Sequence, residues 1–273
     1  MCAPEKVNLK IGLIAGQGAI PESLILRWES QGLIPVIVGL EGITDPALLK
    51  NRISARFSIG QAGHILGFLK SHGVDKLVMV GSLARPNFWT LRTDFLGIKI
   101  IVRLLLRQMG DDGLLRFIRR EIEKYGMKVV AVHEYMPDIL SPSGVLTAKT
   151  PTLDDLKIIE TGVHLAKQHG AEDRGQSVIV NASGLCAVET KDGTNALIKS
   201  CAGVVGAILV KVSKPQQDLA LDMPTIGIST IEYMTASGLK GLAVESGKTI
   251  IIDREKVVSL CDRNGLFLVG VTV

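Results

Sequence analysis

The sequence predicts an α/β protein of two domains, the first a Rossmann-like parallel sheet. Three observations carry this. Short apolar runs alternate with stretches of helical periodicity, the pattern of strands joined by crossover helices. At 273 residues the chain is too long for one small core and suits two domains of ordinary size. A stretch holding Pro137, Pro142, Gly144 and Pro151 interrupts the alternation near its middle.

Each element has its own signal. Lys10–Ala15 reads as a buried parallel strand, and Gly16-Gln-Gly-Ala-Ile-Pro21 leads into an amphipathic helix ending near Glu29. Pro35–Gly39 is the second strand, Gln61–His72 a helix, and Lys76–Val80 a third strand closed by Gly81. Phe95–Met109 is mostly apolar and carries Lys99, Arg103 and Arg107 on one helical face. Leu114–Tyr125 keeps helical spacing, and Met127–Val132 is the last strand of a domain spanning 1–136. Residues 137–152 read as a linker. The second domain, 153–273, opens on a helix, Leu153–Gly170, with Thr152 as N-cap and Asp154 and Asp155 in its first turn. Strands are expected at Ser177–Ala182, Leu185–Glu189, Gly206–Val212, Gly241–Val244 and Thr249–Ile252. Helices fall near Ala196–Cys201 and Ile231–Ser237, the latter with Gly238 as C-cap.

Composition narrows the class. Hydrophobic residues make up 47% and charged residues 21%, so the chain is globular. Aromatics are only 4%, which leaves the cores to Leu, Ile, Val and Ala. A net charge of +4, without a dense basic block or an aromatic RNA-binding run, does not suggest a nucleic-acid partner. Cys2, Cys186, Cys201 and Cys261 share no metal-ligand spacing, which favours a reduced, intracellular protein. The first apolar run, Ile11–Ala15, is too short for a signal peptide, and no run approaches the roughly 20 residues needed to span a bilayer.

Several constellations can carry chemistry, each with a plainer structural reading beside it. Gly16 and Gly18 join a strand to a helix, where backbone N–H groups approach phosphates, but the spacing is not that of a dinucleotide fingerprint. The acidic ribose-binding residue is also missing, because Asp45 comes too late and precedes Pro46. Asp111 and Asp112 precede a helix; Asp112 reads as its N-cap, and the pair can also meet a metal or a sugar hydroxyl. The basic face of Phe95–Met109 suits either an anionic membrane surface or a solvated side of a core helix. Gln176 sits between a helix and a strand, Glu189 ends a strand, and Thr194 opens a helix, the places where α/β proteins put ligands and also where turns form. The five histidines suggest no triad, His133 beside Glu134 being the one to watch, and no Gly-x-Ser-x-Gly elbow is present.

The richest stretch is Lys214-Pro-Gln-Gln-Asp218-Leu-Ala-Leu-Asp222-Met-Pro-Thr-Ile-Gly227, directly after an apolar run. Pro215 and Pro224 fix an ordered loop. Asp218 and Asp222 can grip a divalent cation there and Lys214 a phosphate, or the aspartates can simply cap turns.

Taken in order, Leu13–Pro21, Gly81–Pro86, Gly110–Leu115, Asp173–Ser177, Ala187–Thr194 and Lys214–Gly227 form a set that resembles the LpxI-type UDP-2,3-diacylglucosamine pyrophosphatases of lipid A biosynthesis in Gram-negative bacteria. The likeness runs from about Ile11 to Ile252. It implies a cytoplasmic hydrolase peripheral to the inner membrane, using Mg²⁺ or another divalent cation, with a ligand cleft between its two domains. Such an enzyme cleaves UDP-2,3-diacylglucosamine, a lipid-linked nucleotide sugar, to UMP and 2,3-diacylglucosamine 1-phosphate by attack of water at the UMP-side phosphorus. On this resemblance Asp222 and Asp218 hold the metal or activate water, and Lys214 neutralises charge on the pyrophosphate. Gln176, Glu189 and Thr194 line the cleft, and Gly16, Gly18, Asp111 and Asp112 face it from the first domain. Phe95–Met109 becomes the segment for acyl-chain or membrane contact. A homo-oligomer is compatible with all of this.

The chain departs from the family pattern twice. Asn195 stands where aspartate is usual after Gly-Thr, keeping an oxygen ligand but losing a charge. Leu219-Ala-Leu221 is apolar where an arginine is usual between the two aspartates, which weakens phosphate binding. Both departures point to the alternative, a non-catalytic lipid- or nucleotide-sugar-binding protein of the same fold.

Overall fold

The computed structural model describes residues 10–83, 91–105 and 111–273, and divides into two compact units, Met1–Tyr135 and Met136–Val273. The first unit runs β1 (Lys10–Ala15), α1 (Ala19–Ser30), β2 (Val36–Leu40), β3 (Ser54–Phe57), α2 (Ala62–Ser71), β4 (Val74–Val80), α3 (Phe95–Leu105), α4 (Asp111–Lys124) and β5 (Lys128–Val129). Its five strands lie in the order β3-β2-β1-β4-β5, all neighbours parallel. This is the Rossmann order, in which the chain reverses direction across the sheet beside β1. β1 and β2 are buried nearly end to end, as strands covered on both faces must be.

Three expectations in this unit change. β3 was not foreseen; its sequence, Ser-Ala-Arg-Phe, is only half-buried at the sheet edge and lacks an apolar run. The strand expected over Met127–Val132 pairs only at Lys128 and Val129, after which the chain turns into a short 3₁₀ helix, Val132–Glu134, that carries His133. α4 starts at Asp111, so Asp112 lies in its first turn and is not the N-cap. Asp45 caps another 3₁₀ turn, its Oδ1 accepting the Ala47 N–H at 2.8 Å.

The second unit contains β6 (Gly144–Val145), α5 (Leu153–Ala171), β7 (Ser177–Asn181), β8 (Gly184–Val188), α6 (Gly193–Ser200), β9 (Ile208–Lys211), β10 (Thr225–Ile226), α7 (Ile228–Ser237), β11 (Gly241–Glu245), β12 (Ile250–Ile251), α8 (Arg254–Arg263) and β13 (Phe267–Val271). Six strands form one mixed sheet, β6-β13-β11-β9-β7-β8, while β10 and β12 pair separately. β9, β11 and β13 are mutually parallel, and β7 runs against both β9 and β8. Residues 137–152 belong to this unit: Gly144 and Val145 pair antiparallel with β13. Thr152 caps α5, accepting the Asp155 N–H at 3.2 Å, while Asp155 accepts the Thr152 N–H at 2.9 Å. Gly238 ends α7 in the left-handed region, φ 73°.

Strand alternation divides the core. Ile208, Val210 and Val212 pack beneath α5 with Ile159 and Ala166, whereas Leu209 faces α6, α7 and α8 with Ile198, Ile231 and Val257. Lys211 continues that alternation onto the face of Leu209.

Candidate functional site

The carboxyl ends of β8 and β9 and the start of β7 meet at one end of the second sheet, because β7 runs opposite to both. Here the register sets Ser177 against Lys211. Cross-strand partners share a face, so both side chains turn toward α6. Lys211 Nζ donates to Thr194 Oγ1 at 2.9 Å, and Thr194 Oγ1 donates to Glu189 Oε1 at 2.5 Å. Glu189 Oε2 accepts the Gln176 backbone N–H at 3.0 Å. Gly175 sits against this carboxylate residue at φ 146°, where an added Cβ would fall 2.8 Å from Glu189 Cβ and carbonyl oxygen. Burial pushes the Lys211 ammonium below its ordinary range, and the charges of Glu189 and Asp222 oppose that push. The buried Ser177 hydroxyl has no hydrogen-bond partner among the described residues.

The loop after β9 supplies the second half of the site. Gln217 is its hub: its Oε1 accepts the Lys214 backbone N–H at 2.9 Å, which turns its amide nitrogen toward Gln176 Oε1 at 3.1 Å and Asp222 Oδ2 at 2.7 Å. Asp222 is thereby held in a fixed orientation. Asp218 shapes the same turn, its carbonyl accepting the Asp222 N–H at 2.9 Å and its Oδ1 the Ala220 N–H at 3.1 Å. The Lys214 ammonium meets Asp173 Oδ1 at 2.6 Å. The loop is anchored from below by Glu245, which is 1% exposed. Its Oε2 accepts from Ser213 N at 2.8 Å, Ser213 Oγ at 2.7 Å and Lys167 Nζ at 2.8 Å. Burial alone would raise the Glu245 carboxyl, but Lys167, Lys248 and Ser213 together bring it down to about 2.

Asp222, Gln176, Glu189 and Thr194 thus come together in one hydrogen-bonded set, with Lys214 and Asp218 in the same loop. Sequence reading missed Lys211 and Gln217. The signal for Lys211 was a cation inside Ile208-Leu-Val-Lys-Val212, a run otherwise fully buried. For Gln217 it was a second amide between the proline and the first aspartate.

The first-domain residues are placed as follows. Gly16 is buried and Gly18 caps α1 with φ 111°, bearing no side chain over the first turn. Gly16 and Gly81 touch backbone to backbone: a Cβ on Gly16 would lie 2.6 Å from the Gly81 carbonyl carbon. The side chains of Asp111 and Asp112, residues 84–86 of the Gly81–Pro86 motif, Arg107 and Cys2 lie outside the described residues. On α3 the described cations, Lys99 and Arg103, both engage α4. Lys99 Nζ pairs with Glu121 Oε1 of α4 at 3.0 Å, and the Arg103 guanidinium stands 4.2 Å from the Phe117 ring centroid. An apolar face is exposed: Phe95 is 86%, Ile98 50% and Val102 45% exposed. Among the described residues, no helix is long and apolar enough to cross a membrane.

The LpxI N-terminal domain matches residues 10–139 and the LpxI C-terminal domain residues 142–269. The UDP-2,3-diacylglucosamine pyrophosphatase LpxI of Caulobacter vibrioides (strain ATCC 19089 / CIP 103742 / CB 15) is 34% identical over 273 residues, covering 96% of this chain and 97% of the relative. The chain belongs to the LpxI family.

Proposed function

We propose that this protein hydrolyses the pyrophosphate bond of UDP-2,3-diacylglucosamine, releasing UMP and 2,3-diacylglucosamine 1-phosphate in lipid A biosynthesis. The observation that carries the reading is the single hydrogen-bonded set joining Asp222, Gln217 and Gln176 to Glu189, Thr194 and Lys211 in a chain of this family. Water attacks the UMP-side phosphorus, and the bond from that phosphorus to the bridging oxygen breaks. UMP keeps the water oxygen, and the lipid phosphate leaves with the bridging oxygen. Asp222, oriented by Gln217, takes the proton of the attacking water. Lys214 exchanges its partner Asp173 for the incoming phosphate, stabilising the charge that develops there.

The donor set also fits Mg²⁺. Among the described residues no group of three or more His, Cys, Asp or Glu side chains gathers into an all-protein cage. Mg²⁺ is commonly held by one or two carboxylates together with water and substrate phosphates, and Asp218 and Asp222 stand on one turn. Those two residues would hold the ion, whose chemistry there is neutralisation of the pyrophosphate charge. In the same reading the enzyme works in the cytoplasm, against the inner membrane, and the apolar face of Phe95, Ile98 and Val102 supports contact with acyl chains.

The test is release of UMP from UDP-2,3-diacylglucosamine by purified protein with Mg²⁺ and then with excess chelator. Turnover that stops on chelation and returns with Mg²⁺ is expected. Turnover unaffected by chelator would remove the metal from the account. Tight binding of the lipid product without turnover under any divalent cation would favour the binding-protein alternative, which Asn195 and the apolar Leu219–Leu221 segment suggest.

A further inference from the structure

We propose that Lys211 is a positioning residue of this site, fixing the direction of the Thr194 hydroxyl and so holding Glu189 as an acceptor on both carboxylate oxygens. The inference rests on the hydrolase reading above and adds a residue to it.

An ammonium can only donate, so its 2.9 Å bond to Thr194 Oγ1 uses that oxygen as an acceptor. The Thr194 proton is then directed to Glu189 Oε1, while Glu189 Oε2 receives the Gln176 N–H. With both oxygens accepting, the orientation of Glu189 is set from two sides. Gln176 links this branch to the other, because its side-chain oxygen takes the same Gln217 amide group that orients Asp222.

Stability alone does not call for a lysine here. Lys211 is 6% exposed between Val210 and Val212, both at 0%, in a strand where an aliphatic side chain would pack without any desolvation cost. A cation at this depth is tolerated because Glu189 and Asp222 supply opposite charge. The orphaned Ser177 hydroxyl, cross-strand from Lys211, shows that the polar lining here exceeds what the described side chains satisfy among themselves.

The experiment compares UMP release from UDP-2,3-diacylglucosamine with Mg²⁺ for wild type, Lys211→Met, Lys211→Arg, Thr194→Val and the Lys211→Met/Thr194→Val double variant, with melting temperatures alongside. Lys211→Met is expected to lower kcat about 10–100-fold, the usual loss when an outer partner of a site residue is removed, with KM within about threefold of wild type. Lys211→Arg should recover part of that loss, which a mere packing role would not allow. Thr194→Val should cost as much as Lys211→Met, and the double variant no more than the worse single one, because the two act in series. A Lys211→Met kcat within about twofold of wild type, or losses that add in the double variant, would overturn the inference. Should Lys211→Met fail to fold, Thr194→Val decides alone: retained kcat overturns the inference. A wild type that releases no UMP overturns the hydrolase reading and this inference with it, whereas active wild type beside fully active Lys211→Met overturns the inference only.

Discussion

Glu245 ends β11 with its carboxylate inside the protein, and three hydrogen bonds from Ser213 and Lys167 converge on one oxygen. Ser213 immediately precedes the loop that carries Asp222, so this carboxylate ties the loop to the sheet. Its folded value of about 2 against an ordinary 4.5 gives the sign of a pH effect. Between those values the unfolded chain binds more protons than the folded one, so stability falls as pH drops from about 4.5 toward 2. Glu245→Gln should cost about 1–3 kcal/mol at neutral pH by replacing charge-assisted hydrogen bonds from Ser213 and the partly exposed Lys167 with neutral ones, and should flatten the acid dependence. Urea unfolding of both proteins across that range checks it; equal acid slopes would contradict it. At this scale the sequence shows residue types but not who meets whom. Gln176, Glu189 and Thr194 drew notice because they stand beside strand ends and a helix start, and Asp222 because it is a carboxylate in a loop bounded by prolines. Lys211 was hidden because its partners come from α6 and β8, which only the antiparallel register of β7 brings beside it.

Among the elements, the turn after β1 shows a glycine whose reason is packing. The Gly16 N–H bonds to the Val80 carbonyl at 2.8 Å, and Gln17 exchanges backbone bonds with Ser82 at 2.9 Å each. Any Cβ on Gly16 would press on the backbone of Gly81, which cannot rotate aside as a side chain can. Gly16→Ala should therefore destabilise the protein by about 1–3 kcal/mol, read as a lowered melting temperature; an unchanged melting temperature would show that the turn yields. The long elements were legible from periodicity: β1, α1, α2, β4, α5 and α7 lie within a few residues of their expected places. The short edge strands β3 and β6 were not, since two to four half-exposed residues carry no apolar pattern. α8 and β13 were missed although Phe267–Val271 is almost wholly buried. The two faces of α3 were legible from spacing, but the partners of its cations were not, because Glu121 and Phe117 lie on α4.

For the molecule as a whole, the two α/β domains follow from the alternation of strands and helices, and both LpxI domains match in order along the chain. What the alternation cannot show is which unit carries the chemistry. The polar set described above lies entirely within residues 173–222 of the second unit, around Asp222. The most direct test is the rate of UMP release from UDP-2,3-diacylglucosamine by Asp222→Asn, which keeps the shape of the side chain and an oxygen for Gln217 but removes the charge. The account predicts a loss of about 10²–10⁴-fold in kcat, the range for removing a positioned proton acceptor, with an unchanged melting temperature. Turnover equal to wild type would contradict it.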